Sequence, residues 1–77
     1  MNTSIKSSPK AQSIWFTEDR LYVRLDDGRE IGVPLDWFPK LLKATPDERK
    51  NWRLVGKGIG IHWTDLDEDI AVKKLFE

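Results

Sequence analysis

The only histidine of the chain lies in a short segment that also carries four carboxylates. In residues 58–70 these polar groups follow one another in the order His62, Asp65, Asp67, Glu68 and Asp69. Imidazole and carboxylate groups are ligands for divalent metals, and a histidine oriented by a carboxylate can act as a general base. This segment is therefore the first place in the sequence to test for chemistry.

Neither metal binding nor catalysis is the expected outcome for this segment. The spacing lacks the alternating acids and distant glutamate of a calcium loop, and the chain has no second histidine. A hydrolase would need a nucleophile or an activated water beside His62, and the adjacent Thr64 is more typical of a turn. We therefore predict no metal, no cofactor and no enzymatic activity.

The same residues are well suited to a structural turn. We expect Asp65 to turn the chain after Trp63, and Asp67 and Asp69 to accept hydrogen bonds from the backbone. His62 would then be a polar residue on a strand, in a position to pair with one of the aspartates.

Size and composition limit the kind of protein this can be. A chain of 77 residues with 4 Trp, 3 Phe and 1 Tyr forms one small domain whose core relies on aromatic and aliphatic side chains. The absence of cysteine excludes disulfides and thiolate zinc sites. The balance of 13 basic and 13 acidic residues argues against binding nucleic acid mainly through phosphates. The sequence has no apolar run that could span a membrane, so we expect a cytoplasmic protein.

Three runs of alternating apolar residues after Ser13 predict an antiparallel β-meander. The apolar positions are Ile14 and Phe16, then Leu21, Val23 and Leu25, then Ile31, Val33 and Leu35. Between the last two runs, Asp27 and Gly28 supply the positive φ that a tight hairpin turn requires. We expect residues 1–12 to be a disordered tail and residues 13–77 to be a single small domain.

Two short helices are expected to cover the apolar face of this meander. The first spans residues 36–43, with Asp36 as its N-cap and an apolar stripe formed by Trp37, Phe38, Leu41 and Leu42. The second spans residues 46–51, because Thr45 can cap it and Glu48 can close a capping box.

The remainder of the chain predicts a second hairpin and a short C-terminal element. Residues 52–55 and 58–63 are predicted strands, joined by a two-residue turn at Gly56 and Lys57. Residues 69–76 are predicted to form a short strand followed by a helical turn. One face of the last hairpin strand would carry Ile59, Ile61 and Trp63. The predicted fold class is thus α+β, an antiparallel β-meander plus a second β-hairpin with two short helices packed on one face.

Trp15 is the aromatic residue most expected to face solvent, because it alternates with the apolar pair Ile14 and Phe16. Tyr22 and Arg24 share its outward side, so the three could form a small aromatic and basic patch. Such a patch suits a protein partner, or single-stranded nucleic acid through stacking and arginine contacts. The structural alternative is that Trp15 folds over an open edge of the sheet.

Six short motifs follow one another in an order that is typical of one protein family. They are the Asp-Gly hairpin, Val-Pro-Leu with Trp-Phe-Pro-Lys-Leu, Ala-Thr-Pro-Asp-Glu-Arg, Trp-Arg-Leu, Gly-Ile-Gly-Ile-His-Trp and Leu-Asp-Glu-Asp-Ile. With these motifs the chain closely resembles the bacterial domain-of-unknown-function family 2442, over about residues 14–76. The resemblance implies a small α+β domain, which stands alone in some members and is joined to a helix-turn-helix segment in others.

The resemblance also implies a setting for the function. Stand-alone members of the family are often encoded beside a small partner protein, in arrangements similar to toxin and antitoxin pairs. The sequence has no helix-turn-helix after Glu77, so the direct DNA contact implied by the fused members is not expected here.

We therefore predict a small intracellular protein-interaction module, the antitoxin-like or regulatory half of a two-component system. Its contacts are expected at Trp15, Tyr22 and Arg24. A second contact is expected on an acidic segment formed by His62, Asp65, Asp67 and Glu68, whose charge would suit a small basic, toxin-like partner. A nucleic-acid-binding accessory protein and a phage-type inhibitor of a host protein stay open as alternatives. A homo-oligomer formed through the edges of the sheet also stays open.

Overall fold

The computed structural model describes residues 9–76, which form two three-stranded antiparallel sheets connected by short helices. The first sheet contains, in spatial order, β1 (Ala11–Phe16), β2 (Arg20–Leu25) and β3 (Glu30–Pro34). The second sheet contains, in spatial order, β4 (Trp52–Val55), β5 (Gly60–Trp63) and β6 (Glu68–Ala71). Along the chain, two helices separate the sheets: α1 (Pro39–Leu42) and α2 (Pro46–Lys50).

This architecture confirms the α+β prediction and extends it. The predicted second hairpin carries a third strand, because β6 pairs with β5 along its whole length. A 3-10 turn at Val72–Leu75 follows β6, which is the short strand and helical turn expected for the C-terminus. Residues 1–8 of the predicted tail lie outside the described residues, and β1 begins at Ala11 rather than at Ser13.

The turn between β2 and β3 uses Gly28 as predicted, at a φ of +94°. Asp27 Oδ1 accepts a hydrogen bond of 3.0 Å from the Arg29 backbone N–H, and Asp27 Oδ2 accepts one of 2.8 Å from Arg29 Nε. The bond from the backbone N–H, helped by the guanidinium, lowers the pKa of the Asp27 carboxyl. The turn is therefore held by its own charged residues.

Helix α1 begins later than the sequence predicts, and Asp36 does not cap it. A 3-10 turn at Leu35–Trp37 comes first, and Phe38 then stands in the N-cap position at φ −131° and ψ 83° without a side-chain bond to the helix. A residue that precedes proline is disfavoured in the α region, so Pro39 divides the predicted helix in two.

The break changes which side chains of this segment are buried. Leu41 is completely buried and Phe38 packs against the core, as predicted. Trp37 and Leu42, however, are 58% and 43% exposed, so the prediction that they join the apolar stripe is wrong. A helical period cannot hold across the extended backbone at Phe38.

Helix α2 begins with the predicted capping box. Thr45 Oγ1 accepts a hydrogen bond of 3.1 Å from the Glu48 backbone N–H, and Glu48 Oε1 accepts one of 2.9 Å from the Thr45 backbone N–H. Arg49 then donates from Nε to the Leu41 carbonyl at 2.9 Å and from Nη2 to the Leu42 carbonyl at 3.0 Å. Its guanidinium thereby supplies the donors that the end of α1 lacks.

The connection between β4 and β5 is longer than predicted. Val55 pairs with Gly60, so residues 56–59 form a four-residue turn in place of the two-residue turn. Its first three residues have φ values of 60°, 61° and 104°, a run of left-handed conformations that two glycines make accessible. As a consequence Ile59 leaves the strand and is 59% exposed instead of sharing a buried face with Ile61.

Gly58, in this turn, brings the two sheets into close contact. A Cβ atom at Gly58 would lie 2.4 Å from the carbonyl oxygen of Ala11 and 3.0 Å from its backbone nitrogen. Only a residue without a side chain allows the turn to approach β1 this closely.

Trp63 lies in the core at the junction of the sheets and helices. Its side chain is completely buried, and its Nε1–H donates to the Arg49 carbonyl at 3.0 Å. Its ring meets Phe16 of β1 edge-on, with ring centroids 6.4 Å apart and an interplanar angle of 66°. Trp63 therefore connects the second sheet to α2 and to the first sheet. Within residues 9–76 the other completely buried large side chains are aliphatic, and the indole N–H of Trp63 has its hydrogen-bond partner.

Replacing Trp63 with phenylalanine should destabilise the domain strongly. The substitution removes the indole N–H that satisfies the Arg49 carbonyl, and it leaves a cavity beside Phe16. We expect the free energy of unfolding in urea to fall by about 2–4 kcal/mol. Trp37→Phe is the matched control, because Trp37 is largely exposed; its free energy of unfolding should stay within about 0.5 kcal/mol of the wild type. Equal losses in both variants would contradict the role of Trp63.

Two glycine substitutions should separate the cost of backbone strain from the cost of the contact between the sheets. Gly28→Ala places a side chain at positive φ in open space and should cost about 1–2 kcal/mol. Gly58→Ala adds the clash with the Ala11 backbone and should cost about 1–3 kcal/mol more. Urea denaturation of both variants gives the difference, and a difference near zero would show that the close approach at Gly58 is not required.

Candidate functional site

Trp15 and Tyr22 form a stacked aromatic pair on the outer face of the first sheet. The two residues lie directly opposite each other in the β1–β2 register. Their ring centroids are 5.6 Å apart and their planes differ by only 7°. Both side chains are half-buried, because each ring covers one side of the other. The stack gives the sheet a preformed apolar surface with little side-chain freedom left to lose on binding.

Arg24 continues this row of side chains, as its position two residues from Tyr22 predicts. Its Cζ atom lies 5.7 Å from the centroid of the Trp15 ring, within cation–π distance. The guanidinium also pairs with Glu30, which is its neighbour across the β2–β3 register. An exposed pair of this type adds little stability, but it fixes where the guanidinium stands. We call Trp15, Tyr22 and Arg24 the aromatic face.

Gly32 supports the aromatic face, although the sequence analysis does not single it out. It lies opposite Tyr22 in the β2–β3 register. A Cβ atom at Gly32 would lie 2.6 Å from Cε1 of Tyr22, so the tyrosine ring occupies the space that a side chain would fill. A glycine inside a strand that is covered by an aromatic ring on the next strand is the signal that could have identified it.

A groove of about 390 Å³ begins at Trp15 and runs beside β1. One side is formed by residues 14–17, and the other side by Pro46, Arg49, Lys50 and Trp52. We call this space the β1 groove. Trp15 stacks on Tyr22 across the sheet and also lines the groove beside the β1 edge. The prediction that Trp15 is the most exposed aromatic residue is wrong, because these contacts half-bury it and Trp37 is 58% exposed.

Arg49 is the second residue of this region that the sequence analysis missed. Besides its bonds to the end of α1, its Cζ atom lies 5.6 Å from the centroid of the Phe16 ring. It therefore carries a fixed positive charge to the wall of the β1 groove. Lys50 adds a second, exposed positive charge at the same wall. No local pattern in the sequence distinguishes Arg49 from an ordinary surface residue at the end of a helix.

The predicted pairing of His62 with an aspartate is confirmed. His62 and Asp69 are neighbours across the β5–β6 register, and His62 Nδ1 lies 2.6 Å from Asp69 Oδ1. Asp69 therefore bonds to an imidazole, and the prediction that it accepts a backbone hydrogen bond is wrong. The pair lies on the second sheet, so the structure does not bring His62 together with the aromatic face on the first sheet.

The carboxylates of Asp65 and Glu68 contact different side chains of this chain. Asp65 Oδ2 accepts a hydrogen bond of 3.0 Å from the Asn51 side chain, and Glu68 Oε1 lies 3.9 Å from Lys40 Nζ. Asp67 occupies the turn itself at a φ of +50°, and its carbonyl accepts a bond of 3.2 Å from Lys40 Nζ. The carboxylates of Asp65, Glu68 and Asp69 therefore have three different partners, which are Asn51, Lys40 and His62. Among the described residues, His, Cys, Asp and Glu form no group of three that could hold a metal ion.

A second, smaller groove of about 310 Å³ lies on the outer face of the second sheet. Its apolar lining includes Val55 and Ile59, which are 37% and 59% exposed, together with Gly60 and Ala71. Asp69 borders it from the side of the histidine pair. This groove lacks the stacked aromatic rings and the positive charges that distinguish the β1 groove.

The sequence profile described as "Protein of unknown function (DUF2442)" matches residues 11–77, which include both sheets and both helices. The chain belongs to this family. The match confirms the resemblance carried by the six sequence motifs. The aromatic face and the β1 groove therefore lie within the DUF2442 domain. None of the proteins with curated descriptions matches this DUF2442 chain.

Two solved structures share the fold of this DUF2442 domain. A crystal structure of a protein of unknown function from Rhodospirillum rubrum aligns with a TM-score of 0.77 at 27% identity, over 90% of this chain and 86% of that chain. A solution NMR structure of an uncharacterized protein from Chromobacterium violaceum aligns with a TM-score of 0.71 at 22% identity, over 86% of this chain and 62% of that one. The NMR structure supports the fold alone. Within the described residues, no helix of the DUF2442 domain is long and apolar enough to cross a membrane.

Gly32→Ala should disturb the aromatic face while leaving the fold in place. The new methyl group displaces the Tyr22 ring, so the ring-current shifts that Tyr22 and Trp15 impose on each other should change in NMR spectra. The free energy of unfolding should change by less than about 1 kcal/mol, because the clash involves a side chain that can move and alanine suits a strand better than glycine. Gly28→Ala, which does not touch Tyr22, is the control, and unchanged ring shifts in Gly32→Ala would contradict the proposed support.

Proposed function

We propose that this domain is a small protein-interaction module that binds a partner through the aromatic face and the adjacent β1 groove. The observation that carries the proposal is the Trp15–Tyr22 stack, which is preformed on an outer sheet face and whose Trp15 also lines the groove. Aromatic residues next to arginine are the composition typical of binding hot spots.

The charges around the site favour an acidic segment in the partner. Arg49 and Lys50 lie on the groove wall, whereas the charge of Arg24 is already paired with Glu30. The carboxylates of the acidic segment, by contrast, mostly contact side chains of this same chain. A basic, toxin-like partner at that segment remains a prediction, but the aromatic face has the better built surface.

The setting we propose is the one that the family resemblance implies. The domain would act inside the cell as the antitoxin-like or regulatory half of a two-component system, with its partner encoded nearby. A phage-type inhibitor would use the same surface, because both roles require only a binding face. A nucleic-acid platform is the alternative from a different class, since stacked rings beside arginine can also hold unpaired bases.

Photochemical crosslinking from Arg20 tests the proposal directly. Arg20 is exposed and lies on the same side of β2 as Tyr22, so p-benzoylphenylalanine in its place leaves the stack intact. In cells of the native host, we expect irradiation to give one adduct with a second protein, identified by mass spectrometry. Combining the crosslinker with Trp15→Ser should reduce the adduct at least about tenfold, since the aromatic anchor is lost.

The control places the same crosslinker at Trp37, an exposed aromatic position outside the aromatic face. It should not give the adduct. A nuclease-sensitive adduct at position 20 would support the nucleic-acid alternative, and an adduct between two copies of the chain would support a homo-oligomer. No adduct at position 20, or one that Trp15→Ser does not affect, would contradict the proposed function.

A further inference from the structure

Among the strands of residues 9–76, β1 pairs with β2 on one edge and with no strand on the other. The Thr17 N–H donates to the Arg20 carbonyl at 3.0 Å, which shows that Thr17 directs its backbone groups toward β2. In an antiparallel pair this direction alternates, so Trp15 also bonds toward β2, whereas Ile14 and Phe16 direct their N–H and C=O groups away from it. Within residues 9–76 these outward backbone groups bond to no other backbone segment.

The free groups coincide with the β1 groove. Residues 14–17 form one side of the groove, so the outward-directed N–H and C=O groups of Ile14 and Phe16 lie along that side. Near the start of the strand, by contrast, Gly58 packs on the Ala11 backbone and covers the edge. The exposed stretch of the edge is therefore short and faces one defined space of about 390 Å³.

The opposite edge of the same sheet ends in a proline. Leu35 N–H donates to the Asp19 carbonyl at 2.9 Å, so Leu35 is directed inward and Pro34 toward the free edge of β3. Proline has no N–H to offer an added strand, and it is a common means of blocking an edge. No proline interrupts residues 14–17 of β1.

We propose that an extended, acidic segment of the partner protein binds in the β1 groove by adding a strand to β1. Its backbone would pair with Ile14 and Phe16, one row of its side chains would contact Trp15 or Trp52, and its carboxylates would face Arg49 and Lys50. The inference rests on the proposed function and specifies how the partner is recognised.

Charge and shape favour such a peptide over a second copy of this chain. Pairing two β1 strands would place Arg49 and Lys50 of one copy near the same residues of the other, which is unfavourable for like charges. The wall formed by Pro46, Arg49, Lys50 and Trp52 also borders the groove, so a single peptide strand needs less room there than a second copy with its own α2.

A displayed library of random linear peptides, selected on the full chain, provides the probe. Enriched peptides should carry acidic residues that alternate with apolar ones, and they should bind Lys50→Glu at least about tenfold more weakly than the wild type. Arg53→Glu is the matched control, because Arg53 is exposed on the outer face of the second sheet; it should change affinity less than about twofold.

Methylation of alternate peptide nitrogens distinguishes strand addition from simple groove binding. In one register the methyl groups remove the donors that face β1, and affinity should fall at least about tenfold; in the other register it should be nearly unchanged. On peptide binding, hydrogen exchange should slow for the Ile14 and Phe16 amides more than for the Trp15 amide, which already bonds to β2. The inference would be overturned if methylation lowered affinity equally in both registers, or if the peptides bound the wild type and Lys50→Glu equally well.

The two proposals can fail separately. If position 20 gives an adduct but peptide affinity does not depend on the methylation register, strand addition is contradicted and the interaction module stands. Register-dependent peptide binding without any protein adduct in cells would leave a strand-accepting groove and remove the proposed cellular function.

Discussion

One hydrogen bond, from the indole of Trp63 to the backbone carbonyl of Arg49, connects the parts of this small domain. The side chain of Arg49 is held as well as its backbone. Its guanidinium donates to the Leu41 and Leu42 carbonyls at the end of α1 and lies against the ring of Phe16 in β1. Arg49 thus contacts both sheets and the end of α1, and it belongs to α2 itself. Because the chain has no cysteine, contacts such as these connect its elements in place of a disulfide. The hydrogen bond from Trp63 also fixes α2 at the wall of the β1 groove, so the candidate site depends on the core.

The parts of the fold that local rules control could be predicted from the sequence. Alternation of apolar residues identified the strands of the first sheet, and the spacing of Thr45 and Glu48 identified the start of α2. The failures have two causes. The apolar stripe concealed the break that Pro39 imposes on the residue before it. The turn before β5 was predicted too short, because the conformation of Gly58 is required by its contact with Ala11, which lies far away in the sequence.

The candidate site shows the same division between local and long-range information. Strand alternation placed Trp15, Tyr22 and Arg24 on one face, and the structure confirms that they form one row. Gly32 and Arg49 could not be identified in this way, since their roles arise from contacts with other elements. The acidic segment failed as a cluster for a related reason: residues adjacent in sequence point to different sides of a strand or turn, so proximity along the chain does not bring carboxylates together.

The proline at the end of β3 has a consequence for the behaviour of the protein in solution. A sheet with two open edges can accept a strand on one side and offer its other side to the next molecule, which is how sheets grow into fibres. In the first sheet Pro34 removes the outward donor at the end of β3, and part of the edge of β1 is covered by Gly58. A strand bound at β1 therefore fills the edge that has all its donors and leaves the next molecule the edge that ends in proline.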